Sequence, residues 1–256
     1  MLVGTSGWQY ADWRGPVYPP ELPQRLWLEH YASLFPTVEL NNAFYRLPER
    51  STFEQWRERT PAGFVVAVKM SRYLTHIRRL RDPAEPVARF LDRANGLGSK
   101  LGPVLLQLPP TLRADASVLD AALAEFPSPV RVVVEPRHPT WFADEIRSVL
   151  TDRNAALCWA DRRGRPVTPL WRTADFGYLR LHEGTATPRP RYGRQALRSW
   201  RDRLDSMYPG GEDVFVFFNN DHGAAAVINA HELMSLASSA AALVGDGLTL
   251  SRRTGG

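Results

Sequence analysis

Eight short runs rich in β-branched and aromatic residues recur along the chain, and stretches of helical periodicity separate most of them. The runs are Leu2–Ser6, Thr37–Asn41, Phe64–Met70, Val104–Leu108, Arg131–Glu135, Ala155–Ala160, Gly177–His182 and Val214–Asn219. Strands that alternate with helices pair in parallel, because a parallel pair needs a long crossover between its members. Eight such units in one body predict closure into a ring. The chain has 256 residues, close to the ~250 typical of that architecture. The expectation is an α/β fold, a single (β/α)₈ TIM barrel over residues 1–250 with a disordered tail over 251–256, and a site at the C-terminal ends of the strands.

The helical stretches carry their own signals. Leu26, Trp27, Tyr31, Leu34 and Phe35 form an apolar stripe closed by Pro36. Asp82-Pro83 reads as an N-cap and first-turn proline, opening a helix with Val87, Phe90, Leu91 and Ala94 that stops at Gly96 and Gly98. Val118, Leu119, Ala122, Leu123 and Phe126 make the next stripe. Thr140 reads as the cap of a helix carrying Ile146, Val149 and Leu150. Ala196–Met207 and Ala224–Leu243 supply two more. Asp161–Ala174, rich in Arg and Pro, reads as a loop where the barrel pattern would place a helix.

Strands of a parallel barrel are buried on both faces and should be nearly all apolar. Here they break that rule close to their C-terminal ends. Glu39, Asn41, Lys69, Gln107, Glu135, Arg180, His182 and Asn219 sit there, with Asn220, Asp221 and His222 following the last strand. Val38 and Leu40 alternate with Glu39 and Asn41, Val66 and Val68 with Ala67 and Lys69, and Leu179 and Leu181 with Arg180 and His182. Side chains alternate faces along a strand. The aliphatic set therefore faces the helices, and the polar set points into the barrel mouth. Buried charges must be paired or engaged by a ligand. Two acids and two bases, Glu39, Glu135, Lys69 and Arg180, predict a network that either fills the mouth or holds a site ready there.

The loops that follow the strands add aromatic and basic groups. Trp8, Tyr10, Trp13 and Tyr18 lie in the first, Phe44 and Tyr45 in the second, and His76, Arg78, Arg79 and Arg81 in the third. Arg137 and His138 follow strand five. The net charge is +5, and Lys69 and Lys100 are the lysines of the whole chain. Codon bias of a genome rich in G and C explains an arginine excess but not its placement on one face. Clustered arginines with interleaved rings suit phosphate, carboxylate or stacked-base ligands. Cys158 is the single cysteine, which excludes an internal disulfide; in an apolar run it reads as a small buried hydrophobe. With no basic and apolar leader and no apolar run of ~20 residues, the expectation is a cytoplasmic protein without membrane contact.

These residues resemble the YecE-like proteins, domain-of-unknown-function family 72. The resemblance spans nearly the whole chain. Its marks are Gly4-Thr5-Ser6-Gly7-Trp8 with Tyr10, Trp13, Gly15, Tyr18 and Pro19; Val38-Glu39-Leu40-Asn41 with Phe44-Tyr45; and Ala67-Val68-Lys69 with Thr75-His76. Gln107-Leu108-Pro109-Pro110, Val134-Glu135-Pro136-Arg137-His138, Leu179-Arg180-Leu181-His182 and Phe218-Asn219-Asn220-Asp221 complete it. Leu40 and Pro136 replace the Ile and Leu common at those positions, and Glu183 precedes Gly184 where the family often has glycine at once. The resemblance implies a TIM barrel and implies no activity.

Named chemistries narrow the reading. Ser6 lacks the closing glycine of a nucleophile elbow. Gly96-Leu97-Gly98-Ser99-Lys100 precedes a strand and has the wrong spacing for a phosphate loop. His76, His138, His182 and His222 share the site face with Glu39, Glu135, Asp161 and Asp221, yet no short metal motif is present; a divalent metal is an alternative that is not favoured, and the cofactor is unknown. Lys69 reads as salt-bridged rather than as a Schiff-base amine. The reading reached is an enzyme, of hydrolase or lyase type, acting on a phosphate-bearing sugar, nucleotide or nucleic-acid end. Glu39, Glu135, Lys69 and His182 are the candidate catalytic groups, with Glu39 and Glu135 in acid–base roles. Trp8, Tyr10, Trp13, Asn41, Tyr45, His76, Gln107, Arg137, His138, Arg180, Asn219, Asn220 and Asp221 are the candidate substrate contacts. The alternative is a non-catalytic nucleic-acid binder using the Arg and aromatic rim.

Overall fold

Runs of Val, Leu and Phe flanked by Pro, Gly and Asp become strands, and the amphipathic stretches between them become the outer layer. The computed structural model describes residues 1–236. Its strands are β1 (Leu2–Thr5), β2 (Thr37–Leu40), β3 (Val65–Lys69), β4 (Leu101–Gln107), β5 (Val132–Glu135), β6 (Ala156–Leu157), β7 (Trp159–Arg162), β8 (Arg165–Pro166), β9 (Gly177–Leu181) and β10 (Val214–Phe218). The helices are α1 (Trp27–Leu34), α2 (Asn42–Tyr45), α3 (Arg50–Glu58), α4 (Ala84–Ala94), α5 (Ala116–Ala124), α6 (Asp144–Asp152) and α7 (Arg194–Met207), with residues 225–236 also helical.

Two parallel ladders make up the ring. One runs β2-β3-β4-β5-β6 and the other β1-β10-β9-β7, with the short β8 hairpinned antiparallel onto β7. β6 and β7 are one stretch of chain interrupted at Cys158, whose N–H still donates to the Val134 carbonyl (2.8 Å). That stretch therefore belongs to both ladders. At the other junction β1 and β2 lie side by side without a ladder. The Tyr31 hydroxyl of α1 bridges them, accepting from Thr5 N–H (2.9 Å) and donating to the Thr37 carbonyl (3.1 Å). Gly4 is required at this seam, since a Cβ there would lie 2.2 Å from the Thr37 oxygen.

The alternation read from the sequence holds. Ala67, Leu105, Val133, Ala156, Cys158, Tyr178, Phe215 and Phe217 pack together inside the ring. Val38, Leu40, Val66, Val68, Leu106, Val132, Val134, Leu179 and Leu181 pack outward in the larger core shared with the helices. The interior is thus filled with side chains, as barrels of eight strands are.

Several boundaries differ from expectation. β4 begins at Leu101, because Gly102 and Pro103 are tolerated where the chain enters the sheet. Asp82 is not the N-cap of α4. It has a left-handed backbone (φ 47°) and reaches Arg78, and Pro83 occupies the cap position. Thr140 does not cap α6 either. A 3-10 turn over Pro139–Trp141 intervenes, and the Thr140 hydroxyl instead accepts from Ala114 N–H (2.9 Å), tying two crossovers together. Between β7 and β9 lie the hairpin and irregular chain, in line with the loop read over Asp161–Ala174. The last part of the expected Ala224–Leu243 helix, and the expected tail over 251–256, lie outside the described residues. Among the described residues no helix is long and apolar enough to cross a membrane.

Candidate functional site

Inward-pointing positions at the ends of β2, β3, β4, β5 and β9 bring five charged or amide side chains into one hydrogen-bonded network. Arg180 stands at its centre. Its Nη2 donates to Glu39 Oε1 (2.8 Å) and its Nη1 to Glu135 Oε2 (2.6 Å), so one guanidinium spans the ring between two carboxylates. All three are buried. Glu39 also accepts from Ser6 Oγ (2.8 Å), from Tyr178 OH (2.6 Å) and, at 3.4 Å, from Asn41 Nδ2. Glu135 accepts from Gln107 Nε2 (3.0 Å), is paired with Arg137 Nη2 (2.9 Å), and meets His182 Nε2 (2.8 Å). Asn219, just past β10, approaches the other ring nitrogen of His182 (3.1 Å). The arrangement that satisfies both partners is a neutral imidazole with its proton on Nε2.

Lys69 is engaged differently from the salt bridge expected. Its ammonium donates to Gln107 Oε1 (2.6 Å) and lies 4.1 Å from the centre of the Phe44 ring, and among the described residues no carboxylate oxygen comes within 4.0 Å. Arg180 already holds both nearby acids, so Lys69 receives an amide and a ring face instead.

Electrostatics divide the network into fixed and titrating groups. Burial by itself would raise the Glu135 carboxyl, but Arg180, His182 and Arg137 outweigh it and hold the group well below the usual carboxylate range. Glu39 is lowered too, with Arg180, Tyr178 and Ser6 overcoming burial. Both are anions at neutral pH. Burial, with Arg180 beside it, pushes Lys69 down to about 8 against the pull of Glu39 and Glu135. Burial lowers His182 despite its bond to Glu135. It raises Asp221 to about 7, and Glu39 adds to that rise. Tyr10, beside Asp221, donates its hydroxyl to the Ser6 carbonyl, and among the described residues Asp221 Oδ1 has no hydrogen-bond partner.

Of the residues singled out in the sequence, Glu39, Asn41, Lys69, Gln107, Glu135, Arg137, Arg180, His182 and Asn219 meet directly. His76 joins through Phe44, edge-on at 4.9 Å, and is lowered by burial and by Lys69. Others serve elsewhere. Trp8 and Trp13 are not plates over the mouth: Trp8 packs edge-on against Trp56 of α3, and Trp13 is fully buried with its indole N–H on the Asp221 carbonyl (2.9 Å). Aromatic rings so close to a packed layer gain more from burial than from solvent. Tyr10 lines a cavity of about 180 Å³ with Ser6, Trp8 and Asn41. Tyr45 is 75% exposed on the rim. His138 caps the 3-10 turn through Thr140. Asn220 ties the Pro190 carbonyl to Asn229. The Asp161 carboxylate binds Trp200 Nε1 (2.9 Å) under α7, away from the mouth, because its strand position is the outward one. Tyr178 is the network position the sequence reading omitted, and Phe44, named there as a loop ring, was not among the candidate contacts. Tyr178 lies two residues before Arg180 on the same face, so period two would have found it; the stacking role of Phe44 has no sequence signal. Among the described residues no three His, Cys, Asp or Glu side chains converge as a metal-binding group.

A family model described as protein of unknown function DUF72 matches residues 2–251. The chain belongs to the DUF72 family. Among its relatives, UPF0759 protein YunF of Bacillus subtilis is 26% identical over 270 residues, covering 92% of this chain and 94% of the relative. A DUF72 family protein of solved structure from Thermotoga maritima superposes with a TM-score of 0.81 at 26% identity, over 93% of this chain and 98% of that one. A DUF72 protein from Enterococcus faecalis gives 0.77 at 18% identity, over 91% and 94%, and speaks for the fold alone. The alignments with these DUF72 relatives each cover more than nine-tenths of the chain, at 92%, 93% and 91%.

Proposed function

We propose that this DUF72 protein is an enzyme, of hydrolase or lyase type, that acts on a phosphate-bearing substrate at the strand-end network. The observation that carries the reading is Lys69: an ammonium at the mouth with one hydrogen-bond acceptor, a ring face and, among the described residues, no carboxylate partner. Lys69, Arg137 and Arg180 supply three cations against the anions of Glu39 and Glu135. Arg180 is engaged by both acids, while Lys69 keeps free N–H bonds and Arg137 Nε is buried without a partner. An anionic group of the substrate completes both.

Proton transfer falls to the groups of the mouth that are not held ionised, the imidazole of His182 and the carboxyl of Asp221. Glu39 and Glu135, which the sequence suggested as acid and base, are held ionised and act by orienting Arg180 and His182. His182, fixed by Glu135, takes a proton once Asn219 turns its amide away from Nδ1. Asp221, protonated in part at neutral pH, returns one. A non-catalytic nucleic-acid binder is less well supported, because Trp8, Trp13, Tyr18 and Phe44, four of the six loop rings it would use, are buried.

The test is titration of inorganic phosphate into the wild type and into Lys69→Met between pH 6 and pH 9.5, a window of about three units around the lysine. Wild-type affinity should fall as the pH rises through about 8, where the ammonium loses its charge. Lys69→Met should bind about tenfold more weakly at pH 7, the loss of one charge-assisted contact. Equal binding by the two proteins defeats the reading.

A further inference from the structure

The β3 and β4 crossovers carry a second cationic feature outside the network. Arg79, Arg81, Thr111 and Arg113 line a groove of about 330 Å³, floored by Leu112 and Trp141. The three arginines are exposed, and none forms an ion pair within 4.0 Å among the described residues. The acid on the groove wall, Asp115, is engaged as the cap of α5, accepting from Ser117 Oγ (2.7 Å) and Val118 N–H (3.2 Å). Asp115 remains an anion and feels Arg81, so among the lining residues three arginines face one acid and the groove keeps an excess of positive charge.

Its geometry is held in place. Arg79 (φ 52°), Leu80 (φ 66°) and Asp82 (φ 47°) all have left-handed backbones. Side chains of L residues resist that region at roughly 1–2 kcal/mol each. The segment is fixed by Leu80, which is buried and donates its N–H to the Leu74 carbonyl (2.9 Å). With Leu80 anchored inward, its neighbours Arg79 and Arg81 are left at the surface. Arg79 Nη2 reaches Thr111 Oγ1 (3.5 Å), and Trp141 Nε1 holds the Leu112 carbonyl (2.7 Å). Non-glycine residues in such conformations persist where the surroundings hold them, and they concentrate at ligand clamps. The two walls continue from β3 and β4, whose last residues, Lys69 and Gln107, are bonded to each other in the mouth.

We infer that this groove binds a second phosphate of the same ligand, so that the substrate is a chain of at least two phosphate groups, one on Lys69 and Arg137 and one on Arg79, Arg81 and Arg113. The inference rests on the proposed anion site at Lys69 and deepens it. A linear polyphosphate and a nucleic-acid strand share this chemistry.

Affinities for inorganic phosphate, tripolyphosphate and a short single-stranded oligothymidylate are measured on the wild type, on Lys69→Met and on the triple variant Arg79→Gln, Arg81→Gln, Arg113→Gln. The wild type should bind at least one chain probe about tenfold more tightly than phosphate, and the triple variant should lose that margin while binding phosphate as before. A margin confined to tripolyphosphate identifies a small polyphosphorylated ligand. One confined to oligothymidylate identifies a strand, and there the salt dependence should flatten by about 0.7 for each phosphate contact removed. A wild type with no margin, or a triple variant that keeps it, overturns the inference. Loss of phosphate binding in Lys69→Met with an unchanged margin in the triple variant refutes the groove alone. Phosphate binding indifferent to Lys69 refutes the anion site itself. The three positions are exposed, and an unchanged melting temperature confirms that the triple variant is folded.

Discussion

Asp221 shows how far burial, with Glu39 nearby, moves one carboxyl. Its folded value is about 7 against an ordinary 3.8, so the folded state keeps a proton that the unfolded chain has released. The stabilisation from that proton is fully present below 3.8 and is lost as the pH rises through about 7. Asp221→Asn keeps the shape and removes the titration. The variant should gain on the wild type as the pH is raised from 5 to 8, on the order of 2 kcal/mol at the upper end. Melting temperatures at both ends measure this, and a difference that does not change with pH would refute it. Lys69 titrates in the same range for the matching reason: burial disfavours whichever form is charged.

At the scale of elements, the junction of β1 and β2 is where the ring depends on a side chain. Most ring strands pair backbone to backbone along ladders, with Thr173 and Thr168 hydroxyls accepting from β6 and β7, whereas here the Tyr31 hydroxyl serves both strands of a junction that has no ladder. Tyr31→Phe leaves Thr5 N–H without that partner in a buried place and should cost about 1–3 kcal/mol. Gly4→Ala pushes a methyl against the Thr37 oxygen, a backbone atom that cannot step aside, and should cost at least as much. Urea denaturation of the two variants reads both effects. A Tyr31→Phe protein as stable as the wild type would mean that the seam closes without the hydroxyl.

For the whole molecule, the decisive link is Arg180, because it joins β9 to β2 and β5 across the interior. Arg180→Met takes from buried Glu39 the guanidinium that pairs with it and leaves Glu135 with Arg137 alone, and losses of this kind run to about 3–5 kcal/mol. The pH response should also reverse. In the wild type both carboxyls lie below their ordinary 4.5, so acid removes stability as it protonates them. Without the guanidinium, burial raises Glu39 above that value, while Arg137 and His182 still hold Glu135 down, and the stability tied to Glu39 is lost as the pH rises through its new, higher value. Arg180→Met should therefore recover on mild acidification where the wild type weakens. Melting curves of both proteins across pH 4–8, spanning about two units on either side of 6, measure this; parallel curves would show that the guanidinium does not hold the acids.

Much of the fold and part of the candidate site could be read from the chain alone, because they rest on local geometry. Period two is a property of extended backbone, so the alternation of Val38 and Leu40 with Glu39, or of Leu179 and Leu181 with Arg180, already assigned each side chain to a face. Eight strands with crossovers then brought one end of each to a common mouth. What the tertiary structure decided is which groups meet inside it. Arg180 takes both acids and leaves Lys69 with Gln107 and Phe44. Trp8 and Trp13 are drawn under the packed layer, Tyr31 closes the seam, and Thr140 caps a neighbouring crossover instead of its own helix. Each of these is a competition among partners far apart in the chain, and its outcome depends on distance and burial, which spacing along a sequence does not encode.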